Sequence, residues 1–218
     1  MMQKLSEENI SNLEWYAGID VGQVNLGISF FNGYEIIAYR ATPIGVYRYN
    51  LNHENPMFIE HPYNIKSSND LHSLYSILLF IPEFTYCKII AIEEQLAMHN
   101  SNMLRVDGAI HGFLSATYLK AEVKYVKPVS RCSFTKKYLS EFPDAEQTYL
   151  PLKKIKKEAK KDPMKIIGYE FPEFYQYIMQ FVPDGKLDDI CDSSLYAFYV
   201  FLEKYKNAIA EYNENCKS

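Results

Sequence analysis

The sequence predicts a mixed α/β domain whose sheet opens as an antiparallel meander and then alternates with helices. Three observations carry this. Three short, β-prone apolar runs follow one another near the N-terminal side with only tight turns between them, the pattern of a meander. Beyond residue 66, strand-like apolar runs alternate with stretches of helical periodicity. The 218 residues are 48% hydrophobic and 23% charged, which supplies enough apolar material for one core and excludes a disordered chain.

Residues 15–21, WYAGIDV, open the meander and are closed by Gly22. After the turn GQVN, residues 26–31 (LGISFF) form a second apolar run, and Asn32-Gly33 is a tight-hairpin dipeptide leading into a third strand over 34–40, YEIIAYR. Residues 41–66 hold Pro43, Pro56 and Pro62 among many Asn and read as loop. Over 69–80, Leu71, Leu74, Leu78 and Leu79 recur at helical spacing behind an N-cap at Ser68 or Asn69, and Pro82 ends the helix. Residues 87–92, CKIIAI, are a buried-type strand running directly into Glu93 and Glu94. A helix over 101–119 follows, with Gly108 and Gly112 leaving room for close packing on its own sheet or on a second subunit. A fifth strand, 121–126, stops at Pro128, and 130–140 reads as a basic amphipathic helix. The stretch 142–186 contains five prolines and one short helix near 172–181. The last helix, 187–205, has Leu187, Ile190, Cys191, Leu195, Phe198 and Leu202 on its apolar face. The domain is therefore expected over 15–206, between a polar N-terminal extension, 1–14, and a tail, 207–218. No repeat is visible at periods of 20–50 residues.

A net charge of −4 excludes a uniformly basic nucleic-acid binder, but it hides an asymmetry. Lys153, Lys154, Lys156, Lys157, Lys160, Lys161 and Lys165 face only Glu158 and Asp162 in that stretch, which reads either as a solvated surface or as a phosphate-binding patch. Cys87, Cys132, Cys191 and Cys216 form no C-x-x-C pair, and the five His show no ligand spacing with them, so a zinc site is not expected. The 19 Tyr and 13 Phe suit a large aromatic core, or base stacking at the surface. No apolar run is long enough for a membrane helix, and the polar, acidic start MMQKLSEENISNLE is unlike a secretory signal. A soluble, intracellular protein is expected.

The acidic residues carry the chemistry. Asp20 lies inside an apolar strand, where it either caps the turn at Gly22 or faces a cation. Glu93 and Glu94 end a buried strand, at the carboxyl edge where ligands gather in such sheets. Adjacent strand residues point to opposite faces, so only one of the two can join Asp20. Asp188, Asp189 and Asp192 open the last helix; acids there complement the helix dipole, yet Asp189 with Asp192, and Asp188 with Asp192, share a face and repel unless a cation intervenes. Asp20, one strand-end Glu and the helix pair form an oxygen-donor set able to hold two divalent cations, roughly 3.5–4 Å apart, for phosphodiester hydrolysis. Such hard ligands favour Mg²⁺, with Mn²⁺ as a substitute.

The motifs GIDVGQVNLG, AIEEQ and KLDDICDSS, in this order and on these elements, resemble the RuvC-type Holliday junction resolvases, and within them the poxvirus and large-DNA-virus branch. The resemblance implies an RNase H-like fold, a five-stranded mixed sheet of order 3-2-1-4-5 with helices on both faces. It implies a Mg²⁺-dependent homodimer that cuts four-way DNA junctions symmetrically. Asp20 matches the family's first-strand acid, Glu93 with Gln95 its strand-four I-E-x-Q, and Asp189 with Asp192 its D-x-x-D, making Asp20, Glu93, Asp189 and Asp192 the expected catalytic and metal-binding set. Asp188 and Lys186 match the Asp and Lys that precede this pair in the viral branch. Where that branch has a basic residue after the strand-four acid, this chain has Glu94, so Glu94 and Asp188 stand as alternate ligands. DNA contacts are expected from Lys124, Lys127, Arg131, Lys136, Lys137, Lys153, Lys154, Lys156, Lys157 and Lys186. Frequent Asn, Ile, Lys and Tyr suit an AT-rich viral genome, and a viral enzyme would act where viral DNA replicates.

Two other readings are open. A non-catalytic RNase H-like protein would bind branched nucleic acid through the same fold. An Asp-x-Gly followed by N-x-G also opens actin-like and sugar-kinase folds, but those need a second glycine-rich phosphate loop and a much longer chain.

Overall fold

The structure, a computed structural model, describes residues 14–22, 24–65, 71–95, 101–150, 161–182 and 186–215, the side chains of 101 and 208–215 excepted. Its sheet is built from β1 (Trp15–Asp20), β2 (Leu26–Phe31), β3 (Ile36–Thr42), β4 (Gly45–Asn50), β5 (Met57–Ile59), β6 (Cys87–Glu93) and β7 (Glu122–Val126). The order is β5-β4-β3-β2-β1-β6-β7. The first five strands pair antiparallel, whereas β1–β6 and β6–β7 are parallel. The described helices are α1 (Leu71–Phe80), α2 (Ser101–Thr117), α3 (Pro128–Glu141), α4 (Lys161–Glu170), α5 (Pro172–Phe181) and α6 (Asp188–Asn215).

The mixed α/β class and the central order 3-2-1-4-5 are as expected, the five anticipated strands being β3-β2-β1-β6-β7. The strand number is corrected: the sheet has seven strands, because residues 41–66 contain β4 and β5. The prolines that made this stretch read as loop fall where strands tolerate them. Pro43 lies in the turn joining Thr42 to Gly45, and Pro56 precedes the three-residue edge strand β5. A similar misreading hid α4, whose Pro163 sits in the first turn, a position that does not need the missing N–H. α6 continues through Asn215, into the stretch expected as a tail.

Both faces of the sheet are covered. Ile19, Ile28, Tyr39, Ile90 and Ile92 face α1 and α2 through Leu74, Leu78, Val106, Ile110 and Leu114. On the other face, Phe31, Ile36 and Ala38 meet Leu187, Ile190, Leu195 and Phe198 of α6 and side chains of α3, α4 and α5. A third cluster joins Tyr16, Ile89, Ala91 and Val126 to Tyr196 and Val200.

α6 lies unusually close to β1 and β2, and glycine permits it. A Cβ on Gly18 would stand 2.1 Å from the carbonyl oxygen of Ser193 and 2.5 Å from the backbone nitrogen of Ala197. A Cβ on Gly27 would stand 2.1 Å from the carbonyl oxygen of Asp189. These are backbone contacts, so no rotamer change relieves them. The close approach is locked by hydroxyls: Ser29 Oγ lies 2.8 Å from Ser193 Oγ, and Ser194 Oγ donates to Ser29 Oγ at 2.9 Å. Replacing Gly18 or Gly27 with Ala is expected to destabilise the fold by about 3 kcal/mol, the upper range for overpacking, and to lift Asp189 away from the sheet. Urea unfolding of the two variants measures this; a loss below about 1 kcal/mol would mean the helix is free to shift.

Candidate active site

The register draws four residues into a row across one end of the sheet. Asp20 pairs with Gly27, and Gly27 with Arg40 on β3. On the other side, Ile19 pairs in parallel with Ile92, which sets Glu93 beside Asp20 at the carboxyl ends of β1 and β6. Strand alternation points Asp20 and Glu93 to the face covered by α6, together with Gly18 and Ala91, while Ile19 and Ile92 point to the α1–α2 face. Glu94 is one residue further, and its N–H donates to the Val126 carbonyl at 3.0 Å. Gly27 leaves the gap in the row into which the first turn of α6 descends, bringing Asp189 and Asp192 over the strands.

The four expected acids therefore share one electrostatic neighbourhood. Asp20 is held well above the usual carboxylate range, first by burial and then by the charges of Asp192, Glu93 and Asp189. Two guanidiniums balance part of the charge. Arg40 Nε donates to Asp189 Oδ2 at 3.1 Å, and Arg131 Nη1 donates to Asp192 Oδ1 at 3.0 Å. Arg40 is only 4% exposed, while its partner Asp189 keeps one side open to solvent. Arg131 also lies over the Tyr196 ring, 5.9 Å from its centroid. The Tyr196 phenol, buried beside Glu93, is pushed strongly upward by desolvation and by that carboxylate.

On the opposite side of the turn that follows Asp20, the buried Tyr63 donates its hydroxyl to the Gly22 carbonyl at 2.6 Å, fixing the chain immediately after the acid. The α1–α2 face holds another buried acid. Asp107 of α2 is raised to about 6 by burial and by Glu94 and Glu93, against the backbone N–H of Gln95, which lowers it.

Sequence reading singled out the acids that the structure brings together, and did not single out their neighbours Arg40, Tyr63 and Tyr196. Arg40 carried the signal that singled out Asp20, a charge inside an apolar strand, here YEIIAYR; its partner lies 149 residues away and is invisible to local pattern. Of the expected DNA contacts, Arg131 faces the acids because α3 begins directly after β7, whose Val126 pairs with Glu93. Lys127, Lys136, Lys137 and Lys186 are exposed, Lys137 beside Glu141 at 3.7 Å. Lys124 is paired with Glu203, about three turns along α6 from Asp192. Lys153, Lys154, Lys156 and Lys157 lie outside the described residues.

Four acidic side chains against two guanidiniums make a partly buried cluster rich in carboxyl oxygens. That donor set fits a hard divalent cation. Among the described residues, no group of three or more His, Cys, Asp or Glu side chains stands ready to hold a metal ion, two of the four acids being turned onto Arg40 and Arg131. Cys87 and Cys191 are buried free thiols and Cys132 an exposed one.

Fold and site together define a mixed α/β domain with a carboxylate cluster at the carboxyl edge of its sheet. No family model and no curated protein matches the chain. Among solved structures it is similar to T. thermophilus RuvC in complex with Holliday junction substrate, at 13% identity, covering 84% of this chain and 90% of that one, with a TM-score of 0.44. It is likewise similar to Fowlpox virus resolvase in complex with substrate Holliday junction DNA, at 15% identity over 86% of this chain and 96% of that one, TM-score 0.45. A second T. thermophilus RuvC structure matches at 15% identity over 87% and 96%, TM-score 0.44. At such identities and TM-scores the role of this chain rests on its own side chains.

Proposed function

We propose that this protein is a divalent-metal-dependent endonuclease that resolves four-way DNA junctions. The observation that carries the reading is the convergence of Glu93, Asp189 and Asp192, from β6 and α6, on the half-buried Asp20 carboxylate of β1. Asp20 would be the shared central ligand, with Glu93 on one side and the α6 acids on the other. Cations bound there would supply charge stabilisation for the attacking and leaving oxygens of phosphodiester hydrolysis. Arg131, within reach of Asp192 at the start of α3, can hold a phosphate oxygen at the mouth of the site, and the exposed Lys127 and Lys186 can neutralise flanking phosphates. The remaining lysines of the expected DNA-binding set would add sequence-independent affinity.

Symmetric cutting of a two-fold junction needs two such sites, hence a homodimer. The outer face of α2 supports a place for the contact: a Cβ on Gly108 or Gly112 would meet nothing within 4 Å, so neither glycine packs on its own sheet, and Leu104 beside them is exposed. No helix among the described residues is long and apolar enough to cross a membrane.

A synthetic four-way junction, compared with linear duplex of the same sequence, tests the reading. Mg²⁺ or Mn²⁺ should give paired nicks on opposing strands of the junction and leave the duplex whole, and EDTA should abolish cutting while retaining binding. Junction binding without cleavage under either cation would instead favour the non-catalytic reading, for which the two guanidiniums seated on Asp189 and Asp192 are the supporting observation. Neither binding nor cutting would defeat both.

A further inference from the structure

We infer that Arg40 is a built-in competitor for the metal site: its guanidinium occupies Asp189 in the cation-free protein and thereby sets how tightly the site takes a divalent cation. The inference rests on the metal-site reading above and concerns a residue outside the acid motifs. Arg40 sits in the same cross-sheet row as Asp20, on the far side of Gly27, and the first turn of α6, which carries Asp189, descends into the gap between them. It is 4% exposed, and its Nε holds Asp189 Oδ2 at 3.1 Å. Its backbone is held between Gly27 and Tyr47 in the middle of the sheet, and burial keeps its side chain largely out of solvent. The Arg40 guanidinium and any cation shared with Asp20 thus compete for Asp189. Holding it gives the cation-free cluster a counter-charge that limits repulsion among the acids. The same charge repels an incoming cation and must yield Asp189 to it. Arg40 is therefore a positioning residue that trades cation affinity for order among the acids.

Cation binding read by calorimetry and by melting temperature, without DNA, tests this. Arg40→Gln should bind Mn²⁺ at least about fivefold more tightly than the parent, and its melting temperature should fall without cation and recover disproportionately with it. Arg40→Lys, which keeps the charge, should stay close to the parent affinity; it also covers the case in which Arg40→Gln does not fold. In the Arg40→Gln/Asp189→Asn pair, the extra cation-induced stabilisation should vanish. An Arg40→Gln affinity equal to or weaker than the parent's overturns the inference, as does an Arg40→Lys affinity several-fold tighter than the parent's. If the parent itself binds no Mn²⁺ and Asp20→Asn changes nothing, the metal-site reading has failed, a result distinct from a parent that binds normally and an Arg40 variant that does not tighten.

Discussion

Asp20→Asn is expected to lose at least about a thousandfold in junction cleavage while making the cation-free protein more stable at neutral pH. The two effects have one origin. Burial and the charges of Asp192, Glu93 and Asp189 raise the Asp20 carboxyl well above its unfolded value. A carboxyl raised in the folded state contributes full stability below its unfolded pKa, near 4, and that stability is lost as pH rises through the folded value. The parent in EDTA should therefore lose stability from acidic to neutral pH, and Asp20→Asn should lose less. The gap in melting temperature should open toward neutral pH and close near pH 4. Millimolar Mg²⁺ should narrow or reverse it, since the cation stabilises the parent's complete ligand set more than the variant's. Equal pH profiles for parent and variant would show that Asp20 is not held in a cluster of charges.

Asp189→Asn and Asp188→Asn should separate sharply. The two acids are adjacent, but helix geometry turns their side chains about 100° apart, and Asp189 is the one that acts on Asp20 among the leading charges and is gripped by Arg40. Losing the first is expected to slow cleavage by about 10²–10³, the scale for removing one preorganised electrostatic contact at a reacting centre. Junction affinity should hold or rise slightly, because one negative charge near the phosphates has gone. Losing Asp188 should leave the rate near the parent's. Single-turnover cleavage with saturating enzyme measures both without interference from binding. A reversed order would move the ligand assignment to Asp188, and two variants cutting like the parent would remove α6 from the active site.

Local pattern made most of the fold legible. β2 was read to the residue because its apolar run is bounded by turn chemistry on both sides, and α5 because Pro172 marks its first turn. α6 was recognised by its apolar face. Elements were missed where a residue's local meaning is ambiguous: Pro163 begins a helix instead of preventing one, and Pro43 and Pro56 punctuate an extra pair of strands. The choice between Glu93 and Glu94 was reduced to one by strand alternation, but which of them joins Asp20 depends on the β1–β6 register, a non-local quantity.

The sequence by itself determined the acid inventory, the strand-helix alternation and the glycines at 18 and 27, because these depend on residue type and on periodicities of a few residues. Only the tertiary structure decided that Gly18 and Gly27 are the bed on which α6 lies, that Asp189 and Asp192 come over the strand ends, and that Arg40 and Arg131 are their partners. Those relations join residues 61 and 149 positions apart in the two ion pairs. They arise from register, close packing and the need to balance buried charge, which act through space and leave no mark on the neighbouring sequence.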